Sequence, residues 1–165
     1  MTRPFLRWPD KRLRMAAAPV ALVDDEVRAV WDEMIAAMEA MPGIGLAAPQ
    51  LGVMLRLAVV DASEARAQAV RMANPELVSV SEESVAIYEG SPNLPGVGAE
   101  VTRPASCVVR YLDETGVPVE RSFDGMWARS VQHQIDHLEG RMYFHRLSRL
   151  KRERLLKKAA KGADF

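Results

Sequence analysis

A single cysteine, Cys107, occurs in the chain, which excludes an intrachain disulfide framework. Its surroundings, Ala105-Ser106-Cys107-Val108-Val109, have the character of a strand, so the thiol is expected to be buried and inert. No stretch reaches the roughly 18 apolar residues that a membrane span needs. No sign of charge dominates either: 22 Lys and Arg balance 22 Asp and Glu, which argues against a polyanion-binding tail or an acidic disordered segment. The opening from Met1 to Val20 is basic, but Pro4, Pro9 and Asp10 interrupt it and no apolar signal core follows. The expectation is a cytoplasmic protein with a solvated N-terminal arm, no membrane partner and no specific nucleic-acid partner. Internal repeats and low-complexity tracts are also lacking.

With 48% apolar residues over 165 positions, the chain can bury one sizeable core, and a single domain over 1–165 is expected. Leu22, Val27, Val30, Trp31, Met34, Ile35, Met38 and Met41 recur with a period near 3.6, predicting a helix from about Asp24 to Met41 that Pro42 and Gly43 stop. Its methionines read as core packing. Strands are predicted over Leu55 to Val60, Val70 to Ser79 around an Asn74-Pro75 bend, and Ser84 to Tyr88. Gly90 to Gly98 reads as turn-rich, and Val101 to Leu112 with Val117 to Ser122 as a hairpin across Asp113-Glu114-Thr115-Gly116. A second helix is predicted from about Met126 to Glu139, ended by Gly140, and a basic C-terminal helix over about 147–161.

The second helix carries Gln132-His133-Gln134-Ile135-Asp136-His137. Residues i and i+4 share a helix face, so the rings of His133 and His137 are able to reach one ion. Two imidazoles do not complete a metal site. Three segments in this order, Gly43-Ile44-Gly45-Leu46-Ala47-Ala48-Pro49-Gln50, Glu89-Gly90-Ser91-Pro92-Asn93-Leu94-Pro95-Gly96 and Gln132 to His137, resemble the three motifs of the peptide deformylase family. Asn74-Pro75, Arg103, Gly125, Ala128-Arg129 and Gly140 also fit that pattern, and the resemblance covers nearly the whole chain.

The resemblance implies an α+β fold in which small antiparallel or mixed sheets wrap a central helix carrying the two histidines. Family members bind iron or zinc through those histidines and a cysteine, and remove the formyl group from the N-terminal methionine of new bacterial proteins. Carried onto this chain, the metal positions are His133, His137 and Ser91, and the general-base position is Gln134. The oxyanion donors are the Gln50 side chain and the backbone at Pro92. Ile44, Gly45, Glu89 and Leu94 would line the substrate site, with Glu89 and Arg103 paired beneath it.

Three of these positions depart from the family pattern. Ser91 stands for the cysteine, and a neutral, hard hydroxyl is a far poorer ligand than a thiolate. Cys107 cannot be assumed to replace it. Gln134 stands for the glutamate base, and an amide has no site that titrates near neutral pH. Pro92 stands for a leucine whose N–H helps hold the oxyanion, and proline has no N–H. Asn93 replaces a serine, and His145 stands near a family acidic residue and reads as a surface or capping histidine. The expected cofactor is none, or a weakly held Zn, Fe or Ni ion at His133 and His137.

Three functions follow from this pattern. The first is a degenerate deformylase-like protein that keeps a groove for a formyl-methionyl or other extended peptide. The second is a weak or altered metal-dependent amide hydrolase. The third is a non-enzymatic interaction module that meets the ribosome or another partner through the basic residues from Arg149 to Lys161.

Overall fold

The computed structural model describes residues 3–162, so the outermost ends of the expected 1–165 domain lie outside the described residues. Three α-helices and seven strands follow one another as α1 (Asp25–Ala40), β1 (Gly45–Ala47), β2 (Leu57–Val60), β3 (Val70–Val80), β4 (Ser84–Ser91), β5 (Leu94–Pro104), β6 (Ser106–Leu112), β7 (Pro118–Asp124), α2 (Gly125–Leu138) and α3 (Arg149–Gly162). Short 3-10 turns at Lys11–Arg14, Ala48–Leu51 and Tyr143–Arg146 complete the chain. The strands form a five-stranded sheet in the order β1-β2-β3-β6-β7 and a separate β4-β5 hairpin, all antiparallel. The fold is therefore α+β with small antiparallel sheets.

Asp24 caps α1 by accepting the Val27 N–H at 3.0 Å. The apolar stripe faces inward, and Trp31, Met34 and Met38 are fully buried against β1, β2 and the Ala48–Leu51 turn. The indole N–H of Trp31 donates to the Met72 carbonyl at 3.2 Å, which pins α1 to β3. Helix α2 lies on the five-stranded sheet, with Ala128, Val131, Ile135 and Leu138 packed against Ala58, Met72, Val109 and Phe123. Gly140 ends it at φ 79°, where a Cβ would lie 2.8 Å from the backbone of Arg14 and Met15. A third cluster joins Leu94 and Val101 of the hairpin to Met142, Tyr143, Phe144 and Leu155 of α3.

Two segments differ from the sequence reading. The predicted strand Val101 to Leu112 is divided, because β5 ends at Pro104 and the chain crosses at Ala105 into β6 of the other sheet. Proline has no N–H to extend a ladder, which suits it to that end. Gly90 to Gly98 is mostly strand rather than turn, with Pro92 and Asn93 alone joining β4 to β5. Gly98 is required there because a Cβ would lie 2.6 Å from the Glu89 carbonyl oxygen, with the Tyr88 ring as near. The Asn74-Pro75 bend is a register shift inside β3, with Asn74 at φ 51° and its amide bonded to both backbone groups of Val20.

Candidate functional site

Helix α2 turns His133 and His137 toward each other, with ring centroids 5.0 Å apart and an interplanar angle of 60°. Two imidazoles converging on a tetrahedral ion with bonds of about 2.0–2.1 Å have centroids about 5 Å apart, so the pair suits a shared ligand. Neither nitrogen of the His137 ring has a hydrogen-bond partner, although the residue is only 2% exposed. Burial, and then the neighbouring His133, hold His137 well below the usual histidine pKa, in the neutral form.

His133 is oriented from β4. Its Nδ1 lies 2.7 Å from Glu89 Oε1. The Glu89 carboxylate also accepts from Arg103 Nε at 2.6 Å, Arg103 Nη2 at 2.9 Å and Arg129 Nη1 at 2.5 Å. Burial alone would raise this carboxyl, but the bonds from His133 and Arg103 outweigh it and hold Glu89 well below the usual carboxylate range. An ionised carboxylate only accepts, so Nδ1 of His133 donates and, in the neutral ring, Nε2 keeps its lone pair for the other side.

The same network continues to Asp136, which accepts from Arg103 Nη1 at 2.9 Å and from Arg146 Nε and Nη2 at 2.7 and 2.8 Å. Burial opposes ionisation of Asp136 too, and Arg146 with Arg103 overcomes it. Arg129 reaches past Glu89 to the carbonyls of Val101 and Val85, tying both strands of the hairpin to α2. The Glu89–Arg103 pair agrees with the sequence expectation. Arg129 and Arg146 were not assigned roles in it, because nothing in their local pattern reveals a partner on another element.

Ser91 faces a different neighbour. Its hydroxyl donates to Asn93 Oδ1 at 3.1 Å and accepts the Asn93 N–H at 3.2 Å. Asn93 is fully buried and works as a hub, donating through Nδ2 to the carbonyls of Leu6 at 2.7 Å and Gln50 at 3.1 Å. Its Oδ1 also accepts from Gln50 Nε2 at 2.8 Å, while Gln50 Oε1 accepts the Ala47 N–H at 2.9 Å. Gln50 is thus held at both ends of its amide. The sequence marked Asn93 only as a replacement, and its hub role depends on Leu6 and Gln50, both distant along the chain.

Gln134 packs against Gly45, where a Cβ would lie 2.6 Å from Gln134 Nε2 and 2.2 Å from Ser130 Oγ. The one hydroxyl proton of Ser130 goes to the Ile44 carbonyl at 3.0 Å, so Ser130 Oγ can only accept from Gln134 Nε2, at 3.4 Å. This assigns the amide orientation and leaves Gln134 Oε1 buried with no partner. The side chain lines a cavity of about 380 Å³ together with Ile44, Gly45, Pro92, Met126 and His133. Glu89, Ser91, Gln50 and Arg129 border the same cavity. His137 and Leu94 do not line it: Leu94 packs beside Phe144 and Leu155.

A larger groove of about 470 Å³ lies on the outer sheet around Ser106, Phe123 and Trp127, away from the histidines. Cys107 borders it, but burial pushes that thiol up to about 11. The cavity lined by His133 and Gln134 brings the residues of all three sequence motifs together, with Ile44, Gly45 and Gln50 from the first and Glu89, Ser91 and Pro92 from the second. Among the described residues, no group of three or more His, Cys, Asp and Glu side chains is placed to hold a metal ion. The donors at hand are two imidazoles and a neutral hydroxyl already bonded to Asn93, which do not fit a three-ligand hydrolytic centre.

A family model for polypeptide deformylase matches residues 2–153. A peptide deformylase of Methylocella silvestris is 45% identical over 168 residues, covering 99% of this chain and 86% of that protein. A protein of Bradyrhizobium diazoefficiens named peptide deformylase-like is 42% identical over 159 residues, covering 96% and 93%. The crystal structure of peptide deformylase from Ehrlichia chaffeensis superimposes with a TM-score of 0.92 at 32% identity, covering 99% of this chain and 98% of that one. A crystal structure from the same organism in complex with actinonin gives 0.91 at 34% identity, covering 98% and 97%. With a family model matched over residues 2–153 and relatives 42–45% identical across nearly its whole length, the chain belongs to the polypeptide deformylase family.

Proposed function

We propose that this protein is a deformylase-family member that binds extended peptides at the histidine cavity and lacks, or is strongly impaired in, deformylation. The observation that carries this reading is the engagement of the Ser91 hydroxyl, both as donor and as acceptor, by Asn93. The family's thiolate position has become an internal hydrogen-bonding residue, so metal would be absent or held only weakly at His133 and His137. Gln134 is able to orient a water but not to carry its proton, a loss of about 10²- to 10⁴-fold in comparable reactions. Pro92 removes one oxyanion donor, worth about 10²- to 10³-fold. These factors do not multiply, since the groups act as one unit, but they share a sign.

The remaining frame supports binding. Ile44 and Gly45 border the cavity from β1 and its approach, and Gly90, Ser91 and Pro92 border it from the hairpin. An extended peptide fits between two such chain edges. On this reading the chain acts as one cytoplasmic domain, with Glu89 and Arg103 supporting His133. No helix among the described residues is long and apolar enough to cross a membrane.

A second reading, residual metal-dependent amide hydrolysis, is favoured by the 5.0 Å separation of the imidazole rings. A third, an interaction module meeting the ribosome or another partner, is favoured by α3, which buries Leu155 and carries Arg149, Lys151, Arg152, Arg154, Lys157, Lys158 and Lys161. The discriminating experiment is elemental analysis of protein purified without added metal, coupled to formate release from a formyl-methionyl peptide with Zn²⁺, Fe²⁺, Ni²⁺ or Co²⁺ under anaerobic conditions. Little metal and no formate are expected. Near-stoichiometric metal with turnover that vanishes in His133→Ala would establish the second reading instead.

A further inference from the structure

We propose that His145 is a pH-sensitive latch: its neutral ring holds residues 5–8 of the N-terminal segment against Gln50 and Asn93, and its protonation releases them.

His145 is the third residue of the Tyr143–Arg146 turn, and its side chain reaches back to the start of that turn. The Met142 N–H donates to His145 Nδ1 at 2.9 Å, and the Met142 carbonyl accepts the His145 N–H at 3.0 Å. A capping box usually has Glu or Gln at this position, each with an acceptor oxygen near neutral pH. An imidazole nitrogen accepts only while it carries no proton. Because a backbone N–H can only donate, the bond makes Nδ1 the acceptor and puts the ring proton on Nε2. A second proton turns Nδ1 into a donor facing the Met142 N–H, and the ring has to turn away.

The same ring is one wall of an aromatic cluster. Its centroid lies 4.7 Å from that of Phe144 and 5.7 Å from that of Trp8, and Trp8 meets Phe144 edge-on at 4.9 Å. Trp8 anchors the N-terminal segment. Its backbone N–H donates to the Asn93 carbonyl at 2.8 Å, the Leu6 N–H donates to the Gln50 carbonyl at 2.9 Å, and Asn93 Nδ2 donates to the Leu6 carbonyl at 2.7 Å. Turning the His145 ring removes packing from Trp8 and so loosens the segment that braces Asn93 and Gln50.

The charges around the ring disfavour an imidazolium. Arg152 acts on it from α3 and Arg141 from the segment after α2, while Arg14 lies 5.9 Å over the Trp8 ring that His145 touches. Asp136 of α2 is the opposing carboxylate, and it already accepts from Arg103 and Arg146. Burial, and then Arg152, hold His145 below the usual histidine pKa. The latched form therefore takes up a proton less readily than the released form, whose histidine titrates near about 6.5. Docking of residues 5–8 is complete above that value and weakens as pH falls below it.

The test is amide hydrogen exchange of the full chain by NMR at pH 7 and pH 5, read at Leu6 and Trp8 as protection factors so that the pH dependence of the exchange chemistry cancels. Protection should fall at least about fivefold between the two, towards a ceiling of about 25-fold set by a released histidine of pKa about 6.5 and a latched one that stays neutral. His145→Gln keeps an acceptor at the capping position without a titrating ring, so its Leu6 and Trp8 amides should lose no more than about twofold between pH 7 and pH 5. His145→Ala loses the cap and should lower their protection about fivefold at pH 7, the effect of one hydrogen bond, with little further fall at pH 5. Protected α1 amides such as Trp31 and Met34 confirm that each variant is folded at both pH values. Unchanged protection in the unsubstituted chain, an equal fall in His145→Gln, or full protection in His145→Ala would each overturn the proposal.

Discussion

Arg103→Met tests whether the charge network holds the site together. Arg103 is fully buried and gives Nε and Nη2 to Glu89 and Nη1 to Asp136, three bonds lost in the variant. Breaking one partner from a buried ion pair costs about 3–5 kcal/mol. Glu89 keeps Arg129 and His133, and Asp136 keeps two bonds from Arg146, so the lower end, about 3 kcal/mol, is expected. For a chain of this size that lowers Tm by about 6–12 °C. Urea denaturation at pH 7 is the assay, with the midpoint reduced and the m-value unchanged. The depressed Glu89 pKa adds a pH signature: its stabilisation is present above the unfolded carboxylate value of about 4.3 and is lost as pH falls through the lower folded value. Without Arg103 the folded value rises, so less stability remains to be lost in acid. A cycle with Glu89→Gln should show coupling above about 1 kcal/mol. A loss below about 1 kcal/mol with no coupling would refute the claim that these ions are mutually dependent.

Other outcomes follow from the same geometry. Ser91→Cys should raise metal affinity and occupancy yet release little formate, measured by elemental analysis and formate assay. Adding Pro92→Leu and then Gln134→Glu should restore turnover, the last step by about 10²- to 10⁴-fold, whereas Gln134→Glu alone should leave the chain inactive. His137, neutral and with a lowered pKa, makes the unfolded state the better proton acceptor below about pH 6.5, so in chelator stability should fall by about 1 kcal/mol between pH 6.5 and 5.5. That portion should disappear in His137→Asn, measured by urea titration at both pH values. Asn93→Ala should cost about 2–4 kcal/mol by stripping partners from Gln50, Ser91 and the Leu6 carbonyl, with faster hydrogen exchange along residues 5–8.

The helices were legible because α1 and α2 each carry a 3.6-residue stripe with a stop signal, Pro42-Gly43 for one and Gly140 for the other. The β4-β5 hairpin was not, since Gly90 and Gly98 look like turn residues until Tyr88 is seen lying over Gly98. Motif spacing brought Gln50, Glu89, Ser91, Pro92, His133 and Gln134 to one cavity, but placed Leu94 there as well, where strand alternation turns it into the core. What spacing cannot carry is the partner of each polar atom. Ser91 looks like a failed ligand in the sequence; its bonds to Asn93, which Leu6 and Gln50 hold in place, are visible only once three segments distant along the chain meet.

That self-sufficiency offers a physical reason why this frame can tolerate substitutions at the family's reacting positions. If the carboxylates beneath the histidines depended on a metal for neutralisation, losing the third ligand would leave buried anions unpaired at several kcal/mol each. Here Glu89 and Asp136 are satisfied by Arg103, Arg129 and Arg146, all supplied by the protein. The replacements at the reacting positions are neutral, and two of them, Ser91 and Asn93, bond each other. Among the described residues the buried polar side-chain atoms left without a partner are Gln134 Oε1, both nitrogens of the His137 ring and the Tyr143 hydroxyl, and of these residues Gln134 alone lines the cavity. The charge network that holds the histidine helix to the hairpin is thus complete without any group from outside the protein.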